Sequence, residues 1–146
     1  MHIPAAIFLM LMCAAASAYA RPPAVRLVFF TADWCPNCRV LDPELKLAAA
    51  RVSDVARVDV DVSSPARRAQ SRDIAAANDV LPQHDNWIGR TGFAAVVDVA
   101  SQRTLGCITA AYSAPEIERA LRLAVWNASH RGHRIERRVP LSDCPD

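Results

Sequence analysis

Two cysteines separated by two residues, Cys35 and Cys38, stand where an apolar run ends and a helical pattern begins. Val25, Leu27, Val28, Phe29 and Phe30 form the run, and Thr31-Ala32-Asp33 turns the chain. From Val40 to Val52 the apolar residues Leu41, Leu45, Ala48 and Val52 recur at offsets 0, 4, 7 and 11, which is one face of a helix. Cys35 therefore falls at or just before a helix N-terminus, where unpaired backbone N–H groups and the positive end of the dipole favour an anion. For a cysteine that anion is the thiolate, the nucleophilic form. Cys38 falls about one turn inside, close enough to close a small disulfide ring.

Three readings of the pair compete: thiol–disulfide exchange, a purely structural disulfide, and half of a metal site. A zinc site takes about four ligands, and no second cysteine pair or nearby His-x-x-x-His supplies the rest; His130 and His133 are three apart and lie in the tail. Exchange is the favoured reading. Cys35 is then the more exposed thiol, with a lowered pKa, and attacks a substrate disulfide. Cys38, shielded under the helix start, resolves the mixed disulfide. Pro36 lacks an N–H that could stabilise a thiolate, while Asn37 offers an amide. Reductant and oxidant both remain open.

Trp34-Cys35-Pro36-Asn37-Cys38 resembles the active site of the thioredoxin superfamily. Pro43, eight residues after Cys35, matches the proline that kinks the active-site helix in that family. Ala32-Asp33-Trp34-Cys35 is similar to the periplasmic domains of membrane-coupled disulfide reductases. The resemblance spans roughly Val25 to Trp126. It implies a thiol–disulfide oxidoreductase with no bound cofactor and no metal. Its partners would be protein disulfides or dithiols and a redox partner protein, a membrane one among the candidates. Substrate contacts are expected at Trp34, Pro36, Asn37 and at Thr91-Gly92-Phe93.

Two departures from the family pattern matter. Phe29 stands where thioredoxins keep a buried carboxylate, six residues before the first cysteine. Gly92 or Phe93 stands at the place of the family's cis-proline; a non-proline cis bond costs about 2.5–4 kcal/mol, so a trans peptide is expected. Gly92 still permits close backbone approach. These departures keep two alternatives alive, a non-catalytic binding module of the same fold and a metal-delivery protein using the same cysteines.

Along the chain, Val25–Thr31 reads as a central strand covered on both faces. Arg57 to Val62 alternates with period two, a strand with one wet face. Ser64-Pro65 opens a second helix, running to about Asn78. Residues Val80 to Gly92 read as a long loop, in which Trp87 anchors to the core in preference to flanking the groove. Ala94 to Val99 and Thr104 to Ala111 read as an antiparallel hairpin, and Ser113-Ala114-Pro115-Glu116 as a capping box. The order is βαβ, helix, β-hairpin, helix. It matches a trimmed thioredoxin fold, an α/β domain with one four-stranded mixed sheet.

Length, charge and the remaining cysteines bound the rest. The 146 residues suit one domain, and a net charge of +2 gives no argument for nucleic acid. A monomer is expected. Residues 1–20 carry no Asp, Glu, Lys or Arg and end in Ala18-Tyr19-Ala20, a signal-peptide pattern, with an uncleaved membrane anchor as the alternative. Residues 21–126 form the thioredoxin-like domain and 127–146 a basic, frayed tail. Export to the periplasm or beyond would place the chain where disulfides persist. There Cys107 and Cys144 either form a structural disulfide, closing a loop of about 37 residues, or remain a buried thiol and a loose one.

Overall fold

The computed structural model describes residues 21–132 and 136–146. The signal-peptide reading of residues 1–20 lies outside them, as do His133, Arg134 and Ile135 of the basic tail. Among the described residues eight elements follow one another: β1 (Val25–Thr31), α1 (Pro36–Ala49), β2 (Val55–Asp61), α2 (Pro65–Ala77), α3 (Leu81–Trp87), β3 (Phe93–Asp98), β4 (Arg103–Thr109) and α4 (Ala114–Ser129). The strands make one sheet in the order β2-β1-β3-β4. β1 runs parallel to β2 and antiparallel to β3, and β3 pairs antiparallel with β4. The expected mixed four-stranded α/β fold is the one observed.

β1 is internal, which explains its unbroken apolar stretch: Leu27, Val28, Phe29 and Phe30 are all buried. Alternate residues of β1 serve opposite layers. Phe30 and its register partner Phe93 stack with centroids 4.8 Å apart. The Trp87 ring of α3 stands edge-on to both at 5.9 Å. Phe29 faces the other way, under the Arg57 guanidinium at 4.9 Å, and Arg57 is in turn paired with Asp42 of α1. On that side α1 buries Cys38, Leu41, Leu45 and Ala48. Burying one such leucine stabilises the fold by about 1.5–3 kcal/mol.

Local signals set the helix boundaries. Ser64 accepts from the Arg67 N–H at 3.2 Å and caps α2, with Pro65 at its first position. Ser113 and Glu116 complete the capping box of α4. Pro43 lies inside α1, where it removes one helical donor.

Two expectations are corrected. Val80 to Gly92 is not a structureless loop, because α3 occupies its centre. Pro82 sits in the first turn, where a missing N–H costs nothing, and the His84 N–H bonds to the Val80 carbonyl at 3.0 Å. Nor do the described residues after Trp126 form a frayed tail. Helix α4 continues to Ser129, and the segment 136–146 returns along the outer edge of β4. Cys107 and Ser142 exchange both backbone hydrogen bonds, at 2.9 and 3.1 Å. Gly106 makes this possible, since a Cβ there would lie 2.6 Å from the Leu141 Cβ.

Candidate active site

Cys35 is the N-cap of α1, and Cys38 begins the part of the helix that faces the core. The Cys38 N–H donates to the Cys35 sulfur at 3.1 Å. The first thiol thus holds the position that the strand-to-helix junction predicts, with a helix donor already directed at it. The two cysteines form a disulfide, with Cα atoms 5.3 Å apart. The Cys38 sulfur lies 3.7 Å from the Phe30 carbonyl oxygen, so its environment is the end of β1.

The turn carrying the pair is pinned from the β2–α2 junction. The Asp33 N–H donates to Ser63 Oγ at 2.8 Å, and Ser63 Oγ in turn donates to Asp61. Arg67 bonds both Asp61 and Asp33, and Arg39 bonds the Asp33 carbonyl. Burial alone would raise the Asp61 carboxyl. The Ser63 hydroxyl and N–H together with Arg67 outweigh it and hold the group below its ordinary range. Asp33 itself does not cap α1, since the cap is the neighbouring cysteine; its carboxylate is exposed and tied to Arg67.

Gly92 faces the pair from the α3–β3 connection. Its N–H donates to the Phe30 carbonyl at 2.9 Å, continuing the β1–β3 pairing to the site. It adopts a φ of +92°, and a Cβ placed on it would lie 3.1 Å from Asn37 Cβ and 3.6 Å from the Cys35 sulfur. That approach corrects one expectation: Cys35 is not appreciably more exposed than Cys38, at 4% against 3%. Of the residues expected around the groove, Trp34 is 59% exposed beside the disulfide, and Pro36 and Asn37 are exposed as well. Thr91 is half-buried, and Gly92 is placed as described. Phe93 turns its ring into the core and offers no side-chain surface there.

Phe29, at the family's carboxylate position, is 1% exposed. No acid side chain therefore occupies that place. Among the described residues no group of three or more His, Cys, Asp or Glu side chains is arranged to hold a metal ion. Cys107 and Cys144 form a second disulfide, away from the first, which fixes the C-terminal segment to β4. The pattern gave no hint of Trp87's partner: its Nε1–H donates to the Pro145 carbonyl at 2.9 Å. A carbonyl fifty-eight residues distant leaves no local signal.

A four-stranded mixed sheet with a disulfide at the N-terminus of its first helix defines a protein of thioredoxin-like architecture. A family model described as Thioredoxin matches residues 18–81, from ahead of β1 into the start of α3. No curated protein and no solved structure matches the chain. The match to residues 18–81 and the hairpin–helix that completes the sheet support a likeness to the thioredoxin-like superfamily. Family and cysteine pair together support a thiol–disulfide redox function.

Proposed function

We propose that the protein is an exported thiol–disulfide oxidoreductase acting on protein disulfides through Cys35 and Cys38. The observation that carries this is the Cys35 sulfur serving as N-cap of α1 and accepting the Cys38 N–H. A contact of that kind stabilises a thiolate more than a thiol. In the reduced protein the Cys35 thiolate attacks one sulfur of a substrate disulfide. A mixed disulfide forms and the first substrate sulfur leaves as a thiolate. Cys38, deprotonated, then attacks the Cys35 sulfur, closes the Cys35–Cys38 bond and releases the second substrate sulfur. Two electrons pass to the substrate, whose sulfurs take up two protons. A dithiol partner protein, membrane-bound in the reading that the motif favours, restores the reduced pair. Trp34, with the exposed Pro36 and Asn37, is the contact surface for the substrate.

Export is supported by the uncharged apolar stretch of residues 1–20 and by the second cysteine pair, which is joined at Cys107–Cys144. Disulfides of that structural type persist in oxidising compartments. The test is reduction of insulin by the full chain and by Cys35→Ser with a thiol regenerant. The expected result is catalysis by the unsubstituted protein and a fall to the uncatalysed rate in the variant. Equal rates would leave a binding module as the better description. The couple's reduction potential, expected within roughly −270 to −120 mV, then assigns the direction of electron flow.

A further inference from the structure

Beside the disulfide, between the start of α2 and α3, lies a groove of about 590 Å³. Its floor is apolar, with Val62, Pro65, Ala69 and Ile88 among the lining residues. Both ends of the groove join the redox site. Ser63, at one wall, accepts the Asp33 N–H of the cysteine turn at 2.8 Å. Ile88, at the other, leads into the segment ending at Gly92, whose Cβ position is 3.6 Å from the Cys35 sulfur.

The polar groups of the groove are unevenly satisfied. His84 is only 2% exposed, and its Nδ1 is 2.8 Å from the Asp85 carboxylate. A carboxylate only accepts, so Nδ1 carries a proton. That buried Nε2 has no hydrogen-bond partner. A buried polar atom without a partner is unfavourable and rare. Asp85 also draws Arg72, at 3.6 Å. Arg68, on the same lip, has no ion-pair partner among the described residues. The groove therefore combines an apolar floor and an unneutralised cation.

We propose that this groove receives an extended segment of the substrate polypeptide that carries an acidic side chain. The segment's apolar residues lie on Val62 and Ile88, and its carboxylate meets Arg68. The assignment deepens the oxidoreductase reading and rests on it for the identity of the ligand as a substrate. Charge complementarity selects an acidic segment over a basic one.

The test separates docking from turnover. Fluorescent peptides of one sequence, with serine in place of the reactive cysteine, carry Glu, Gln or Lys at positions scanned about two to six residues away. At roughly 3.3 Å per residue an extended chain covers the groove within that range. Binding to the oxidised full chain is read by anisotropy. The expected result is tighter binding of a Glu peptide than its Lys counterpart by about fivefold or more at one position. Arg68→Glu should reverse that order. Equal affinities at every position, or a preference that survives Arg68→Glu, would overturn the assignment. Insulin turnover is measured separately, so a redox-inactive protein that still prefers Glu would refute the oxidoreductase reading and leave the groove assignment standing.

Discussion

Gly92 shows how one missing side chain shapes the site. Its φ of +92° would strain any L-residue, and a Cβ would press on Asn37 at 3.1 Å. Gly89 has a similar φ of +96° but nothing within 4 Å of its Cβ position. The pair separates backbone strain from contact. Gly89→Ala should cost about 1 kcal/mol from strain alone. Gly92→Ala should cost up to about 3 kcal/mol and also change the alkylation rate of reduced Cys35, because Asn37 must shift. Urea unfolding and timed iodoacetamide labelling read the two effects, and equal behaviour of the variants would remove the contact argument. Asp61 gives a pH prediction. Its folded pKa lies below the ordinary value of 3.8, so its contribution to stability is present above that value and is lost as acid protonates the folded carboxylate. Asp42, held down by Lys46 and Arg57 against the raising effect of burial, behaves alike. Asp61→Asn should therefore flatten, without abolishing, the loss of stability below about pH 4, as followed by unfolding at stepped pH.

The C-terminal segment is an element whose hold is mostly non-local. It combines the Cys107–Cys144 bond, the Cys107–Ser142 bridge, the Tyr112–Ser142 hydroxyl contact at 2.9 Å and the Trp87–Pro145 bond. The bond closes a sequence separation of 37, so Cys107→Ala/Cys144→Ala should lower unfolding free energy by about 2–4 kcal/mol. Because Trp87 loses a fixed carbonyl, its fluorescence should change in the folded state of that variant. An unaltered midpoint would mean that the backbone bridge alone holds the segment. The same element marks where sequence reading stops. β1, β2, α2 and the β3–β4 hairpin are legible because each carries its own pattern: an apolar run, an alternation, a Ser-Pro start, two apolar segments around Ser101-Gln102. α3 is not legible, since Pro82, Asp85 and Asn86 are weak helix formers and Trp87 holds the helix by packing on Phe30 and Phe93. The cysteine junction was readable from adjacent residues, whereas the cover over Cys35 comes from Gly92, fifty-seven positions later.

At the scale of the molecule, a deeply buried sheet centre carries a thinly buried flank beside the reactive pair. β1 has strand partners on both sides and four consecutive fully covered residues, and β3 is buried along its whole length. α2 buries only Ser71 and Ala75 of its thirteen residues. Opening α2 therefore exposes little apolar surface, while opening β1 dismantles the core. This contrast suits the groove between α2 and α3: its α2 wall can adjust to a bound segment while the disulfide stays fixed to the end of β1. Hydrogen exchange followed residue by residue should show β1 and β3 amides exchanging only through global unfolding. The α2 amides should exchange through a local opening of lower free energy. Adding an acidic peptide that occupies the groove should slow α2 exchange and leave β1 unchanged. Protection of α2 equal to that of β1 in the free protein would show that the flank is as rigid as the sheet and that the groove is fully preformed.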